Sequence, residues 1–355
     1  MHGEGGPSMK LRISGKSGDC EISSGELEDL AGMVKPGRTL IVTDSNVSGI
    51  YGKRFPDAEV VEVRPGEENK TLDTVRTIYD RMLEVELDRS SLVVGIGGGL
   101  VCDVAGYAAA TYHRGMDLGF VPTTLLAQVD AAIGGKNGVN YNGYKNIIGT
   151  IRQPRFVLCD VGLLKTLSEE EMRNGYAEVV KHAAIEDAKA FDHLERNADA
   201  LAACAADAAG ADERVMAHVV QDSVAVKARI VQADENESGE RMKLNFGHTI
   251  GHAIELQGGL RHGEAVSIGM VAEARISVEK GLMAKKDAMR LEGLLVSLGL
   301  PVKLQSGREA LLDGIRKDKK RREGNIRMPV LDGIGRARIA DVRISDLEGA
   351  IDDMY

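Results

Sequence analysis

The stretch "SLVVGIGGGLVCDVAGYAAATY", residues 91–112, decides the fold. An apolar, β-prone run from Leu92 to Ile96 meets three consecutive glycines, Gly97, Gly98 and Gly99, and then a helix-prone run rich in alanine. That order spells strand, tight turn, helix. Glycines at such a turn let the backbone approach a pyrophosphate, whose charge is favoured by the free N–H groups and dipole of a helix N-terminus. The run does not carry the GxGxxG spacing, and a strand-to-helix turn with no ligand uses the same residues, so this stretch alone leaves both readings open.

Working outward, "RTLIVTDSNV" (38–47) is an apolar run ending in Asp44 and Asn46, and "EVVEVRPGEENK" (59–70) is a strand running into a polar turn. "TLDTVRTIYDRMLEVEL" (71–87) has helical spacing at Leu72, Val75, Ile78, Tyr79, Met82 and Leu83. Strands alternating with helices predict an α/β region with a parallel sheet. From about Ser168 the pattern changes to long alanine-rich helical stretches, "EEEMRNGYAEVVKHAAIEDAKAFDHLE" (169–195) and "ERVMAHVVQDSVAVKARIVQADE" (213–235). The boundary is placed between Leu163 and Ser168, giving an α/β domain over 1–165 and a mostly α-helical domain over 166–355. No repeat or low-complexity linker is evident.

Composition agrees with two cores. A chain of 355 residues that is 43% hydrophobic exceeds the size at which a single core stops growing. The net charge of -9 argues against nucleic acid or an anionic membrane as partner, because both select clustered positive charge. The four cysteines, Cys20, Cys102, Cys159 and Cys204, have neither metal-knuckle nor disulfide-framework spacing and are read as reduced, buried thiols. No run approaches the ~18 apolar residues of a membrane span, and "MHGEGGPSMK" lacks the apolar core of a signal peptide. A cytoplasmic protein is expected, with Met9 a candidate start after a short polar leader.

Two further segments carry chemistry. "VPTTLLAQVDAAIGGKNGVNYNGYKNIIGT" (121–150) sets Thr123, Thr124, Asp130, Lys136, Lys145 and Asn146 among glycines, which suits capture of a phosphate or carboxylate. The plain alternative is a surface loop with solvated lysines. In "NGYAEVVKHA" (174–183), Glu178, Lys181 and His182 share one helical face, as do His248 and His252 in "NFGHTIGHA" (245–253), and "RHGEA" (261–265) adds His262. A carboxylate with two imidazoles makes a divalent-metal site, most naturally zinc, although the spacing does not say which two histidines bind. A lone histidine such as His182 or His218 reads as a hydrogen-bonded core or surface residue.

Taken in order, these segments resemble the 3-dehydroquinate synthases, within the sugar phosphate cyclases, over about Asp44 to Lys320. The resemblance rests on "GGGLVCDVAGYAAATYHRG", "VPTTLLAQVDAAIGGK", "GYKNIIGT", "YAEVVKHAAI", "KLNFGHTIGHAIE" and "HGEAVSIGM". It implies a Rossmann-like NAD-binding domain followed by a helical metal- and substrate-binding domain, with the active site in the cleft between them. By the same resemblance Glu178, His248 and His262 hold the metal, zinc or cobalt, and His252 faces substrate. Asp44, Asn46, Glu67, Lys70, Gly98, Gly99, Asp103, Thr123, Thr124, Lys145 and Thr166 match positions that hold NAD. Arg114, Asp130, Lys136, Asn146, Lys181, Lys227, Arg241, Asn245 and Lys319 match the substrate cage, and Lys136 counts toward the cofactor side as well. Arg114 is expected to reach the neighbouring subunit, which implies a homodimer.

Some positions depart from the family pattern. Ala131 and Ala132 stand where serines are common, Asn137 replaces a threonine, and "AIELQGGLR" (253–261) is short, so His262 must arrive on a tight Gly258–Gly259 turn. None removes a group that the chemistry requires.

The implied reaction converts 3-deoxy-D-arabino-heptulosonate 7-phosphate to 3-dehydroquinate and phosphate. It proceeds by oxidation at C5, phosphate elimination, reduction, ring opening and an intramolecular aldol, and NAD is regenerated in each cycle. Related readings are a metal-dependent polyol or alcohol dehydrogenase, which needs no cationic cage, and another sugar-phosphate cyclase whose substrate lacks a carboxylate. A catalytically dead scaffold is disfavoured because Glu178, His248 and His262 are all present.

Overall fold

The inner strands of the N-terminal unit follow directly from the apolar runs. β3 (Thr39–Asp44) and β5 (Leu92–Gly97) are buried at every residue, as parallel strands covered on both faces are. In the computed structural model, which describes residues 8–256, 259–304, 321–322 and 324–352, the chain divides into two compact units, Met1–Leu167 and Ser168–Tyr355. Lys319 lies outside the described residues.

The first unit is built on a seven-stranded sheet. Its strands are β1 (Lys10–Gly15), β2 (Gly18–Ser24), β3, β4 (Glu59–Val63), β5, β6 (Asp117–Pro122) and β9 (Phe156–Cys159), in the order β1-β2-β9-β6-β5-β3-β4. All neighbours pair in parallel except the β1–β2 hairpin. Helix α1 (Ser45–Tyr51) follows β3, α2 (Leu72–Glu84) follows β4 and α3 (Gly99–Thr111) follows β5. The chain runs outward from β3 to β4, returns past β3 to β5 and continues to β6. That reversal makes a topological switch point at the carboxyl ends of β3 and β5, where open α/β sheets bind ligands. Asp44, Gly98, Gly99 and Thr123 all stand there. A separate antiparallel hairpin, β7 (Lys136–Tyr141) with β8 (Tyr144–Ile151), carries the second half of the lysine-rich segment.

Both helical readings hold, and the structure refines them. On α2 the buried stripe is Val75, Ile78 and Met82; Leu72 and Leu83 are 39% and 64% exposed, because at about 3.6 residues per turn both fall on the flank of that stripe. The stretch 169–195 is not one helix but two, α4 (Glu169–Glu186) and α5 (Ala188–Arg196). Asp187 ends the first in extended backbone and starts the second, its carboxylate accepting the N–H groups of Lys189 and Ala190 at 3.0 and 3.1 Å.

The second unit continues with α6 (Ala198–Ala206), α7 (Glu213–Ala233), α8 (His248–Glu255), α9 (His262–Glu279) and α10 (Lys285–Ser297). It then adds an antiparallel sheet of β10 (Arg321–Arg322), β11 (Asn325–Leu331) and β12 (Ala337–Arg343), followed by α11 (Ile344–Asp352). This sheet was not expected from sequence. Its apolar residues Met328, Val330 and Val342 close a core with Ile250 and Ile254 of α8 and Ile268, Ala272 and Ile276 of α9. The helices α8 and α9 meet at backbone distance: a Cβ on Gly269 would sit 2.0 Å from the carbonyl oxygen of Gly247, so only glycine fits.

All four cysteines are free and buried, and burial pushes the Cys20 and Cys159 thiols up to about 12. Among the described residues no helix is long and apolar enough to cross a membrane.

Candidate active site

Glu178 projects from the middle of α4 and is fully buried. Its Oε1 lies 3.6 Å from Nε2 of His248 and 3.4 Å from Nε2 of His262. Donor atoms about 2.0–2.1 Å from a tetrahedral zinc stand about 3.3–3.4 Å from one another. The donor set and its spacing therefore fit a divalent ion. His252, one turn beyond His248, meets that ring edge-on at 5.1 Å between centroids, and Glu178, His248 and His262 come together as a candidate donor set among the described residues.

The far side of each imidazole is also held. The Nδ1–H of His248 donates to the carbonyl of Phe246 at 3.2 Å, which leaves the Nε2 lone pair facing Glu178. Nδ1 of His262 lies 3.5 Å from Glu255. Burial drives the His248 value well below that of a free imidazole, and Lys181 adds to the effect; the neutral form is the one that binds metal. For His262 burial acts in the same direction, but hydrogen bonds and charge from Glu178 and Glu255 outweigh it and raise the value to about 9. A carboxylate partner in this position is also what raises the basicity of a ligating imidazole.

His182 is fully buried, with Nδ1 2.7 Å from the Ser223 hydroxyl and Nε2 3.9 Å from Glu178 Oε2.

Three cations accompany the donor set inside the second unit. Lys181, Lys227 and Arg241 are only 2%, 5% and 2% exposed, so none is a solvated surface charge. Lys181 pairs with Glu178 Oε2. Burying such groups costs several kcal/mol each unless charge and hydrogen bonds compensate, and a site built to receive an anion is one way to do so.

Arg241 is set by a loop that sequence reading overlooked. Asp234 accepts the N–H groups of Ser238, Gly239 and Arg241 at 3.0, 2.7 and 3.1 Å, and the Ser238 hydroxyl at 3.1 Å. Burial works against the charged Asp234, but these donors outweigh it and hold the carboxyl at about 2. The Arg241 side chain donates through Nη1 to the Glu235 carbonyl at 2.7 Å, and Asn245 donates through Nδ2 to Glu237 at 2.6 Å.

In the first unit, Gly98 caps α3 with extended backbone rather than positive φ. Space is what the glycines supply there, since a Cβ on the preceding Gly97 would press to 2.6 Å from Val101. Asp44 ends β3 and caps α1, its Oδ1 accepting from Asn46 and Val47 N–H at 2.9 and 3.1 Å. The capping role is thus filled. The Thr123 N–H reaches the Gly97 carbonyl at 3.0 Å, and Thr124 Oγ1 accepts from the Ala127 N–H at 3.1 Å.

The buried Lys70 forms an ion pair with the half-buried Asp103. Asn140, not singled out from sequence, ties this corner together. Its N–H donates to the Lys70 carbonyl at 2.8 Å, its Nδ2 to Glu67 Oε1 at 2.9 Å, and its Oδ1 accepts the Asn146 N–H at 2.9 Å.

Other expected residues are more dispersed within this unit. Lys136 and Lys145 are exposed on opposite strands of the β7–β8 hairpin, and Asp130 is half-buried in the short π-helical segment Ala127–Ala131. The Thr166 hydroxyl is engaged elsewhere, 2.8 Å from the Tyr51 hydroxyl and donating to the Leu163 carbonyl at 3.3 Å. Arg114 is exposed and follows His113 in left-handed backbone, φ 65° after φ 50°. Two adjacent non-glycine residues in that region hold strain of the kind that clusters at functional sites.

With the Glu178, His248 and His262 donor set in the second unit and a parallel sheet with a glycine-capped switch point in the first, the chain is similar to known proteins. The N-terminal 3-dehydroquinate synthase family model matches residues 60–174, and the C-terminal model matches residues 175–321. A 3-dehydroquinate synthase from Halorhodospira halophila (strain DSM 244 / SL1) is 44% identical over 337 residues, covering 92% of this chain and 93% of the relative. Among solved structures, 2-epi-5-epi-valiolone synthase from Streptomyces hygroscopicus subsp. jinggangensis 5008, with NAD+ and Zn2+ bound, superposes with a TM-score of 0.86 at 28% identity, covering 96% of this chain and 98% of that one. A 2-deoxy-scyllo-inosose synthase complexed with carbaglucose-6-phosphate, NAD+ and Co2+ gives a TM-score of 0.84 at 28% identity, covering 98% of this chain and 100% of that one. Both halves of the chain match one family, and the relative is similar from end to end: this chain belongs to the 3-dehydroquinate synthase family.

Proposed function

We propose that the protein converts 3-deoxy-D-arabino-heptulosonate 7-phosphate to 3-dehydroquinate and phosphate, as a carbon–oxygen lyase of the shikimate pathway acting in the cytoplasm as a homodimer. The observation that carries this reading is the convergence of Glu178, His248 and His262, with Lys181 paired to Glu178 and with Lys227 and Arg241 also buried in the second unit. In this reading the donor set holds zinc or cobalt, and the switch point of the first unit holds NAD. When bound, the ion supplies Lewis-acid polarisation of the C5 oxygen and its neighbouring hydroxyl, and NAD takes and returns a hydride at C5.

The chain's own residues then bind and orient. Arg241 and Lys227 neutralise the substrate carboxylate, a guanidinium gripping it through two parallel hydrogen bonds. Lys136, Asn146 and Arg114 hold the phosphate end, and that phosphate accepts the proton lost in elimination. Lys181, Asn245, His252 and Asp130 face the substrate hydroxyls, and Glu67, Lys70, Asp103 and Lys145 line the cofactor side. Much of the protein's own contribution is orientation and charge neutralisation.

Homodimer formation is supported by the β7–β8 hairpin, which leaves Tyr141, Tyr144, Ile147 and Ile151 at 41–63% exposure on one small element. One assay tests substrate, cofactor and metal together: phosphate release from the heptulosonate phosphate, with and without NAD and with and without chelator. Release that needs both NAD and metal is expected. Release indifferent to either overturns the reading.

A further inference from the structure

Both histidines of the donor set are the first residues of helices: His248 opens α8 and His262 opens α9. Backbone N–H groups at a helix start have no partner within the helix. Here, buried side chains from neighbouring helices take them. Glu273, in the middle of α9 and fully buried, accepts the Gly247 N–H through Oε2 at 2.8 Å, and the Thr249 and Ile250 N–H groups through Oε1 at 3.1 and 3.4 Å. Asn174 of α4, 8% exposed, accepts the Gly263 N–H through Oδ1 at 2.6 Å.

The geometry assigns Glu273 and Asn174 as positioning residues that set the two imidazoles against Glu178, an inference that rests on the donor set holding a metal ion. Asn174 and Glu178 are four residues apart on α4 and so share a face. One face of α4 therefore grips the start of α9 beside His262 and supplies the carboxylate that His262 meets. In turn α9 grips the start of α8 on both sides of His248. A carboxylate wholly buried in an apolar helix is retained only when multiply hydrogen-bonded, and every N–H named here for Glu273 belongs to the residues flanking His248. Losing these bonds shifts the α8 start along or around its axis, and with it the Nε2 that lies 3.6 Å from Glu178.

The test uses Co2+ titrated into metal-free full-length protein, read by affinity and by the d–d absorption band, with circular dichroism and thermal transitions of the metal-free proteins as folding controls. The wild type is titrated first: failure to bind one Co2+ per chain sinks the metal reading itself, separately from this inference. Given binding, Glu273→Gln keeps the volume but turns an NH2 group toward backbone donors. It is expected to weaken Co2+ binding by about 10- to 100-fold and to shift or weaken the band. Asn174→Leu is expected to do the same, whereas Asn174→Asp, which keeps an oxygen acceptor, stays close to wild type. If Glu273→Gln does not fold, the Asn174 pair decides alone. Wild-type affinity and band in Asn174→Leu, or in a folded Glu273→Gln, overturn the assignment, as does an Asn174→Asp variant no better than Asn174→Leu.

Discussion

Nε2 of His262 lies 3.4 Å from Oε1 of Glu178, close to the separation of two ligands on one tetrahedral ion. Chelation is accordingly expected to abolish phosphate release, and zinc or cobalt to restore it. Glu178→Gln replaces an anionic ligand with a neutral amide and should lower metal content at equal free metal, measured by elemental analysis. Full activity in demetallated protein rules this out.

A cofactor that is oxidant and reductant in one cycle is not consumed. One NAD per active site should support many turnovers, with no build-up of NADH absorbance. NADH accumulating in step with product would identify a simple dehydrogenase instead.

The buried Arg241 gives a specificity test. Stranding either partner of a charge pair in a desolvated site, here the substrate carboxylate in Arg241→Ala or the guanidinium with a substrate that lacks the carboxylate, costs roughly 1–3 kcal/mol. At ~1.4 kcal/mol per decade, Arg241→Ala should lower kcat/KM for the heptulosonate phosphate by about five-fold to about 140-fold. Wild type should reject sedoheptulose 7-phosphate and glucose 6-phosphate, which lack the carboxylate. Efficient turnover of sedoheptulose 7-phosphate would shift the assignment to another cyclase.

Asp234 makes the loop that carries Arg241 sensitive to acid. Its carboxyl is held at about 2 against an ordinary 3.8, so its stabilising contribution is complete above about pH 4 and is lost as pH falls toward 2. Thermal transitions of wild type and Asp234→Ala should therefore differ most above pH 4 and converge toward pH 2. A gap that does not change with pH would show that the charge is irrelevant there.

At the phosphate end, Lys136→Ala should lower turnover while leaving metal content unchanged. If Arg114 acts across a dimer, mixing Arg114→Ala chains with Glu178→Gln chains should recover part of the activity in heterodimers. No recovery at any mixing ratio would mean that each site is built from one chain.

Much of this protein was legible in the order of its residues. The apolar runs at 39–44 and 92–97, the glycine turn between strand and helix, and the change to helical periodicity near Ser168 are local patterns, and local patterns follow from backbone geometry and burial. Candidate ligands were legible too, because imidazoles and carboxylates at helical spacing advertise their chemistry. What spacing could not do was choose among His248, His252 and His262, since i and i+4 residues share a face whether or not a third group arrives from another helix. Tertiary packing brings Glu178 of α4 to the starts of α8 and α9, within 3.6 Å of His248 and 3.4 Å of His262, and that arrangement supports the choice of those two. Glu273 was a signal in plain view, one acid in the apolar stretch "SIGMVAEA" (267–274), but its partners are backbone N–H groups, which carry no sequence signature. The same holds for Asp234 and Asn140, whose partners are mostly main-chain atoms. The sequence names the side chains; only the fold decides which main-chain donors and acceptors they meet, because those contacts depend on distances that no periodicity encodes.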